Sequence, residues 1–247
     1  MDTDAQPAAA GQGIFQRLVE EPEMTERENI LGRIREALKE KVHIPGRHGQ
    51  VATSTATSIP RQWLPKVGET FDEQLALFAR NTAELKADFQ LFNSAEEIRQ
   101  AIIRLRDAEG WRRVAGHSGD LTNAICPALS LPLLRTDRAY DVHELEACDV
   151  GIGECDALIA QTGTVLVTNR SAGGRALSVL PPHHVALARR DQLVADLPAA
   201  FDLLNRKYAD NYPSMISFIT GPSRTGDIER ILVLGAHGPK KLTIFCL

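Results

Sequence analysis

Three polar, glycine-bearing segments hold the residue types that chemistry needs: AQTGTVLVTN, GGRALSVLPPHH and TGPSRTGDIE. Each adjoins a predicted strand, where ligand loops of α/β sheets occur. In the third, the strand MISFIT runs into Gly221 and Pro222, after which Ser223 or Thr225 can cap a helix with Asp227 and Glu229 in its first turn. Backbone N–H groups at such a helix start carry partial positive charge, and Arg224 beside them can fork onto a carboxylate or phosphate; plain helix capping uses the same letters. In the first segment, Thr162 and Thr164 set two hydroxyls around Gly163, offering hydrogen bonds where a side chain would block close approach, or equally forming a bulge at the start of a strand. In the second, Gly173 and Gly174 form a loop, Arg175 projects a permanent cation, and Pro181 and Pro182 fix the start of the next strand. His183 or His184 can then serve as acid or base, or simply occupy a turn.

Weaker candidates lie nearby. His117 in GHSGD follows a strand beside Ser118 and Gly119, which suit an anion-cradling loop, and His237 in GAHGP either touches ligand or bonds a backbone carbonyl. Glu154 and Asp156 fall on one side of an extended chain, as a carboxylate pair requires, with Cys155 between them as a nucleophile only if its thiol acidity is raised. The four cysteines are scattered without a C-x-x-C pair, so no zinc ribbon or chain-borne iron–sulfur cluster is indicated and no metal site is expected. No P-loop, dinucleotide fingerprint or nucleophile elbow is present, and the catalytic residues are unassigned.

The elements that must position these residues follow from periodicity. Ile30, Leu31, Ile34 and Leu38 share one face of a helix over 25–40, after a weakly patterned stretch 1–23 that reads as disordered or non-native, with Met24 as the natural start. Pro, Gly, Ser and Thr then make 42–66 a linker, so that 24–66 is an N-terminal helical arm and 67–247 the main domain. Phe71, Leu75, Phe78, Leu85 and Phe89 predict one further helix. Ser94 and Glu97 form a capping-box pattern before Ile98, Ala101, Ile102 and Leu105, and Gly110 stops that helix. A short helix is expected within 121–129 and a long one over 191–207. Strands are expected at 111–115, 133–134, 150–153, 157–160, 163–168, 184–188, 215–220, 231–234 and 242–246. Segments such as VALA and LTIF are apolar on both faces, which predicts a mostly parallel sheet with helices on both faces, an α/β fold. GAHGPKK reads as a hairpin turn joining an antiparallel pair.

With 247 residues, 43% of them hydrophobic and 24% charged, the chain can bury a substantial core, which excludes disordered and collagen-like classes. A net charge of -4 argues against a nucleic-acid binder, which needs clustered excess Lys and Arg. No apolar run reaches the ~20 residues of a membrane span and the N-terminus lacks a secretory pattern, so a cytoplasmic protein is expected.

The stretches ILGRIREAL, ALIAQTGTVLV, GGRALSVLPPHHVALA and GPSRTGDIERILVLGAHGPKKLTIFCL resemble the lactate utilization protein C family (LutC/YkgG, the LUD domain). That resemblance implies a fold similar to the ribose phosphate isomerase and CoA-transferase-like superfamily. It further implies a part in oxidising L-lactate to pyruvate with two partner subunits that carry the iron–sulfur clusters, no cofactor being expected on this chain. Thr162, Gly163, Thr164, Arg175, Pro181, Ser223, Arg224, Thr225, Asp227, His237 and Gly238 stand at family-motif positions without assigned roles. Gln161 departs from the family, which usually has an acid there; the amide keeps reach but loses charge. Three readings follow. The first is an accessory subunit binding a small carboxylate through Arg175 and Arg224. The second is an independent isomerase- or transferase-like enzyme acting on a phosphorylated or CoA-linked molecule. The third is a non-catalytic interaction protein gripping a partner with its arm.

Overall fold

The computed structural model describes residues 26–37, 39, 66–225, 233–234 and 237–247. The chain divides into a unit Met1–Ile59 and a unit Pro60–Leu247. Of the first, helix α1 (Glu26–Ala37) is described; Ile30 and Ile34, on its predicted apolar face, are exposed. The stretch 1–23 and nearly all of the linker lie outside the described residues.

The second unit begins with α2 (Phe71–Glu84), started by Thr70 and Glu73 in a reciprocal capping box that satisfies two otherwise orphaned N–H groups. The expected continuation of this helix to Phe89 is corrected: Lys86 turns left-handed at φ 65°, and Phe89 lies on strand β1 (Asp88–Leu91). Phe89 reads as part of the helical stripe because its ring packs edge-on against Phe78 of α2, centroids 5.0 Å apart. Helix α3 (Ala95–Glu109) starts where Ser94 accepts from the Glu97 N–H and ends at left-handed Gly110, as the sequence predicts. There follow β2 (Val114–Gly116), α4 (Asp120–Ile125), β3 (Leu133–Arg135), α5 (Val142–Glu146) and β4 (Val150–Glu154).

A hairpin-like excursion then forms β5 (Ala157–Ile159) and β6 (Thr164–Thr168), before β7 (His183–Ala188) and β8 (Leu193–Val194). The helix expected over 191–207 is shorter: α6 runs Leu197–Tyr208, because Asp196 caps it and Pro198 suits its first turn, while Leu193–Val194 pair with β5. The chain closes with β9 (Ile216–Ile219), β10 (Arg224–Thr225), β11 (Val233–Leu234) and β12 (Lys241–Cys246).

The main sheet has six strands in the order β1-β12-β7-β4-β2-β3, and every pair in it is parallel. Val150, Ile152, Val185 and Leu187 face a core shared with α3 and α4, while Ala186, Ala188, Leu242 and Ile244 face one shared with α2 and the second sheet. That second sheet, β8-β5-β6-β9, carries the antiparallel pairs β5/β6 and β6/β9, and α6 covers its outer side with Ala200 and Leu204. The expected hairpin through GAHGPKK is corrected: β11 pairs with β10, whereas β12 inserts between β1 and β7. Among the described residues no helix is long and apolar enough to cross a membrane.

The segment 172–181 lies flat across β4, and a glycine makes this possible. A Cβ on Gly151 would sit 2.3 Å from the Leu177 carbonyl oxygen and 3.2 Å from Pro181, so no other residue fits beneath it. The strands β12, β7, β4, β2 and β3 start level with one another, and β1 starts two residues further on, with Asp88 opposite Thr243. This defines an amino edge, at Asp88, Lys241, His183, Val150 and Val114, and a carboxyl edge about 20 Å away across the six-residue strands.

Candidate functional site

Most motif residues gather along the amino edge. Gly163, at φ 62°, lies so close to α2 that a Cβ would come within 2.9 Å of the Thr82 nitrogen, and Asn81 clamps the turn by donating to the carbonyls of Ala160 and Gln161 at 2.9 Å each. The hydroxyls of Thr162 and Thr164 pair at 2.7 Å, and Thr164 reaches Thr220 at 2.8 Å. These hydroxyls join the turn to the TGPSRT segment. There Arg224 donates to the Leu85 carbonyl at the end of α2, and the Ser223 N–H donates to the Pro239 carbonyl at 2.9 Å. Arg224 and Thr225 are strand residues, so a helix start at Ser223 is corrected, while a start at Thr225, with Asp227, lies outside the described residues. His237 and Gly238 line a cleft of about 390 Å³ with Glu146, Val179, Leu180, Pro182 and Lys240.

Two histidines expected near a ligand are instead core residues. His183 pairs through Nε2 with the Thr243 hydroxyl at 2.9 Å and packs edge-on against Trp111, and His184 holds Nδ1 3.2 Å from the Gly151 carbonyl oxygen. Their second ring nitrogens, His183 Nδ1 and His184 Nε2, are buried without partners. Burial pushes both down to about 4, so each is neutral near pH 7. An acid–base role for either is therefore corrected. The cysteines are likewise buried; desolvation lifts Cys155 far above the ordinary thiol range and Cys126 to about 12, which removes the nucleophile reading of Cys155. Glu154 and Asp156 do not act as a pair: the first bonds to α4 and the second is buried with Lys207, Tyr208 and Ser171. Among the described residues no three His, Cys, Asp or Glu side chains gather as metal ligands.

The carboxyl edge holds a different constellation. Setting β1 aside, the order β3-β2-β4-β7-β12 is the doubly wound pattern 2-1-3-4-5, in which ligands enter the crevice between the first and third strands. Here that crevice lies between the ends of β2 and β4. His117 leaves β2 with its N–H on the Ile152 carbonyl, and its Nδ1 lies 3.3 Å from the Thr136 hydroxyl at the end of β3. Gly173 closes over both: at φ 69° its absent Cβ would stand 2.2 Å from His117 Nδ1 and 2.6 Å from Thr136 Oγ1. Arg175 follows two residues later and is exposed. Arg135 donates to the Ser118 hydroxyl at 3.4 Å, and Asp137 stands on the same rim. At the end of β4, Glu154 accepts from the N–H groups of Leu121 and Thr122 at 2.7 and 3.1 Å, capping α4 where Gly119 has no side chain to do so. Arg189, from the end of β7, lies 3.6 Å from Glu154 and 3.5 Å from Asp120.

Burial lowers the affinity of His117 for a proton, a loss that Arg135 reinforces and the carboxylates of Asp137 and Glu154 partly offset. The switch point thus gathers an imidazole, hydroxyls and the Arg135 guanidinium beside the carboxylates of Asp137 and Glu154. Arg175 follows Gly173, which packs on His117 at this edge, whereas Arg224 anchors to the Leu85 carbonyl at the other, and no contact joins the two arginines expected to share a carboxylate among the described residues. Arg135, Thr136 and Arg189 are not singled out from sequence, since polar residues after short strands look like ordinary surface, and Glu154 is singled out only as a partner for Asp156.

The profile of the LUD domain family matches residues 75–247. Over 105 residues the chain is 36% identical to "Lactate utilization protein C 1" of Bacillus mycoides (strain KBAB4), covering 42% of this chain and 45% of that protein. It is 38% identical over 103 residues to "Lactate utilization protein C" of Anoxybacillus flavithermus (strain DSM 21510 / WK1), covering 42% and 46%. The same name is carried by a Bacillus subtilis (strain 168) protein, 35% identical over 103 residues, covering 41% and 43%. Each match thus spans less than half of the relative's length. In fold, the chain is similar to the crystal structure of a DUF162 family protein from Deinococcus radiodurans, with TM-score 0.56 and 23% identity over 72% of this chain and 99% of that one.

Proposed function

The chain belongs to the LUD domain family, and on that premise we propose that it serves lactate utilization as an accessory subunit that holds a small 2-hydroxy or 2-oxo carboxylate. The names of its relatives support the role, and the strand order of the main sheet supports the place. In this reading the carboxylate sits in the crevice between β2 and β4, forked by Arg135 with Arg175 closing from the loop above. A planar guanidinium matches both oxygens of a carboxylate, which an ammonium cannot do. His117, neutral and steadied by Thr136, faces the hydroxyl or keto oxygen as hydrogen-bond partner. The electrons of lactate oxidation pass to iron–sulfur clusters on two partner subunits, consistent with what the sequence resemblance implies.

The observation that carries the site is the convergence of His117, Arg135, Thr136 and the Gly173 loop at the switch in strand order. Calorimetric titration with L-lactate and pyruvate tests it: Arg135→Gln should weaken binding at least tenfold, and unchanged binding in both Arg135→Gln and Arg175→Gln would place the ligand elsewhere. Deletion of the gene should abolish growth on L-lactate as sole carbon source, with rescue by the parent and not by Arg135→Gln. Undiminished growth of the deletion strain would remove the lactate role itself.

A further inference from the structure

A third charged cluster lies just beyond the end of β4, where α6 ends against the turn after β6. Asp156 is fully buried yet accepts three hydrogen bonds: from the Lys207 ammonium at 2.6 Å, the Tyr208 hydroxyl at 2.6 Å and the Ser171 hydroxyl at 2.7 Å. Burial alone would raise its pKa, but these donors outweigh burial and hold the carboxyl below its ordinary range, so it is an anion. Lys207 and Tyr208 come from the helix, whereas Ser171 comes from the turn. The turn is itself set by Thr168, whose hydroxyl accepts from the N–H groups of Arg170 and Ser171. Asp156 therefore staples helix to turn, which sets the turn that carries Arg170 beside the helix end that carries Arg206.

Between them lies a cleft of about 280 Å³ lined by Arg170, Arg206, Lys207, Tyr208, Asp210 and Asn211, with the backbone of Ala209. Neither guanidinium has a hydrogen-bond or ion-pair partner among the described residues. The Lys207 side chain, 48% exposed, spends one of its three N–H donors on Asp156 and keeps the others. Helix-dipole complementarity accounts for Arg206 and Lys207 in the last turn of α6, but not for Arg170, which comes from another element. Set against the one carboxylate of Asp210 in the same lining, two unpaired, exposed forks beside a held ammonium match a tetrahedral phosphate better than a monocarboxylate, which one fork would satisfy.

We propose that this cleft is a phosphate-binding site, taking inorganic phosphate or the phosphate of a small ester. Its charged side chains are not those of the carboxylate crevice, although its turn leads within three residues to Gly173. The test is calorimetric titration of the full chain with inorganic phosphate, glycerol phosphate and L-lactate, beside the double variant Arg170→Gln/Arg206→Gln. Phosphate should bind saturably, weaken as salt rises, and bind at least tenfold more weakly to the double variant, whose thermal unfolding should match the parent. Tighter binding of glycerol phosphate than of phosphate would identify an ester as the occupant. Absence of saturable binding by both phosphate probes, or equal binding by the double variant, would overturn the proposal. So would a loss of lactate affinity in the double variant as large as its loss of phosphate affinity.

Discussion

Acidification should unfold this protein through two buried histidines. His183 and His184 remain neutral down to about pH 4 in the folded chain, against about 6.5 once exposed. Between those values the unfolded chain binds protons that the folded chain refuses, so stability is complete above about pH 6.5 and falls as pH drops toward 4. A fall from about 6.5 to about 4 corresponds to roughly 3 kcal/mol for one histidine, a large share of the whole stability of many domains. Near pH 5.5 the two together impose a slope of just over ~2 kcal/mol per pH unit, with His117 adding in the same direction. The carboxylates held below their ordinary range, Asp156 among them, titrate at lower pH and leave the window from 5 to 6.5 to the histidines. Urea unfolding across pH 5 to 7.5 reads the slope. His183→Gln keeps a partner for Thr243 and His184→Asn keeps one for the Gly151 carbonyl, and each should remove about half of the slope. A parent whose stability is flat across the window, or variants that leave the slope intact, would refute the reasoning.

Other outcomes are expected from single contacts. Gly173→Ala places a methyl against His117 and demands a positive φ, so it should cost about 1 to 3 kcal/mol and weaken pyruvate binding; wild-type behaviour in both assays would mean the loop does not close on the imidazole. Asp156→Ala strands three donors, of which Lys207 can return to water, and should lower stability in urea by about 2 kcal/mol. Ser94→Ala deletes the cap of α3, with an expected loss of about 1 kcal/mol measured by thermal unfolding.

Local rules explain which parts of the fold were legible in advance. Ser94 and Gly110 bracket α3 because a cap and a left-handed stop act within a few residues, and the buried strands announce themselves by β-branched and apolar runs. The misreadings have a common origin in contacts between distant segments. Phe89 continues a helical spacing only because it returns to touch Phe78 from a strand, and Leu193–Val194 leave the predicted helix because β5 offers them a parallel partner. GAHGPKK has the letters of a hairpin, yet its flanking strands find partners in β10, β1 and β7. The histidines after Pro182 look like turn residues until the sheet closes around them.

What the sequence determined by itself was the kind of element at most positions, the α/β class and the family resemblance, since these rest on short-range periodicity, capping and motif letters. What only the tertiary structure decided was which residues stand together. Arg175 and Arg224, both beside glycines in motif segments, are parted because one follows a loop over the carboxyl edge and the other anchors to Leu85 at the amino edge. Arg135, Thr136 and Glu154 become neighbours of His117, and Arg189 of Glu154, only when β3, β2, β4 and β7 align. Strand order is set by pairing between segments far apart in the chain, and no window of local sequence contains it.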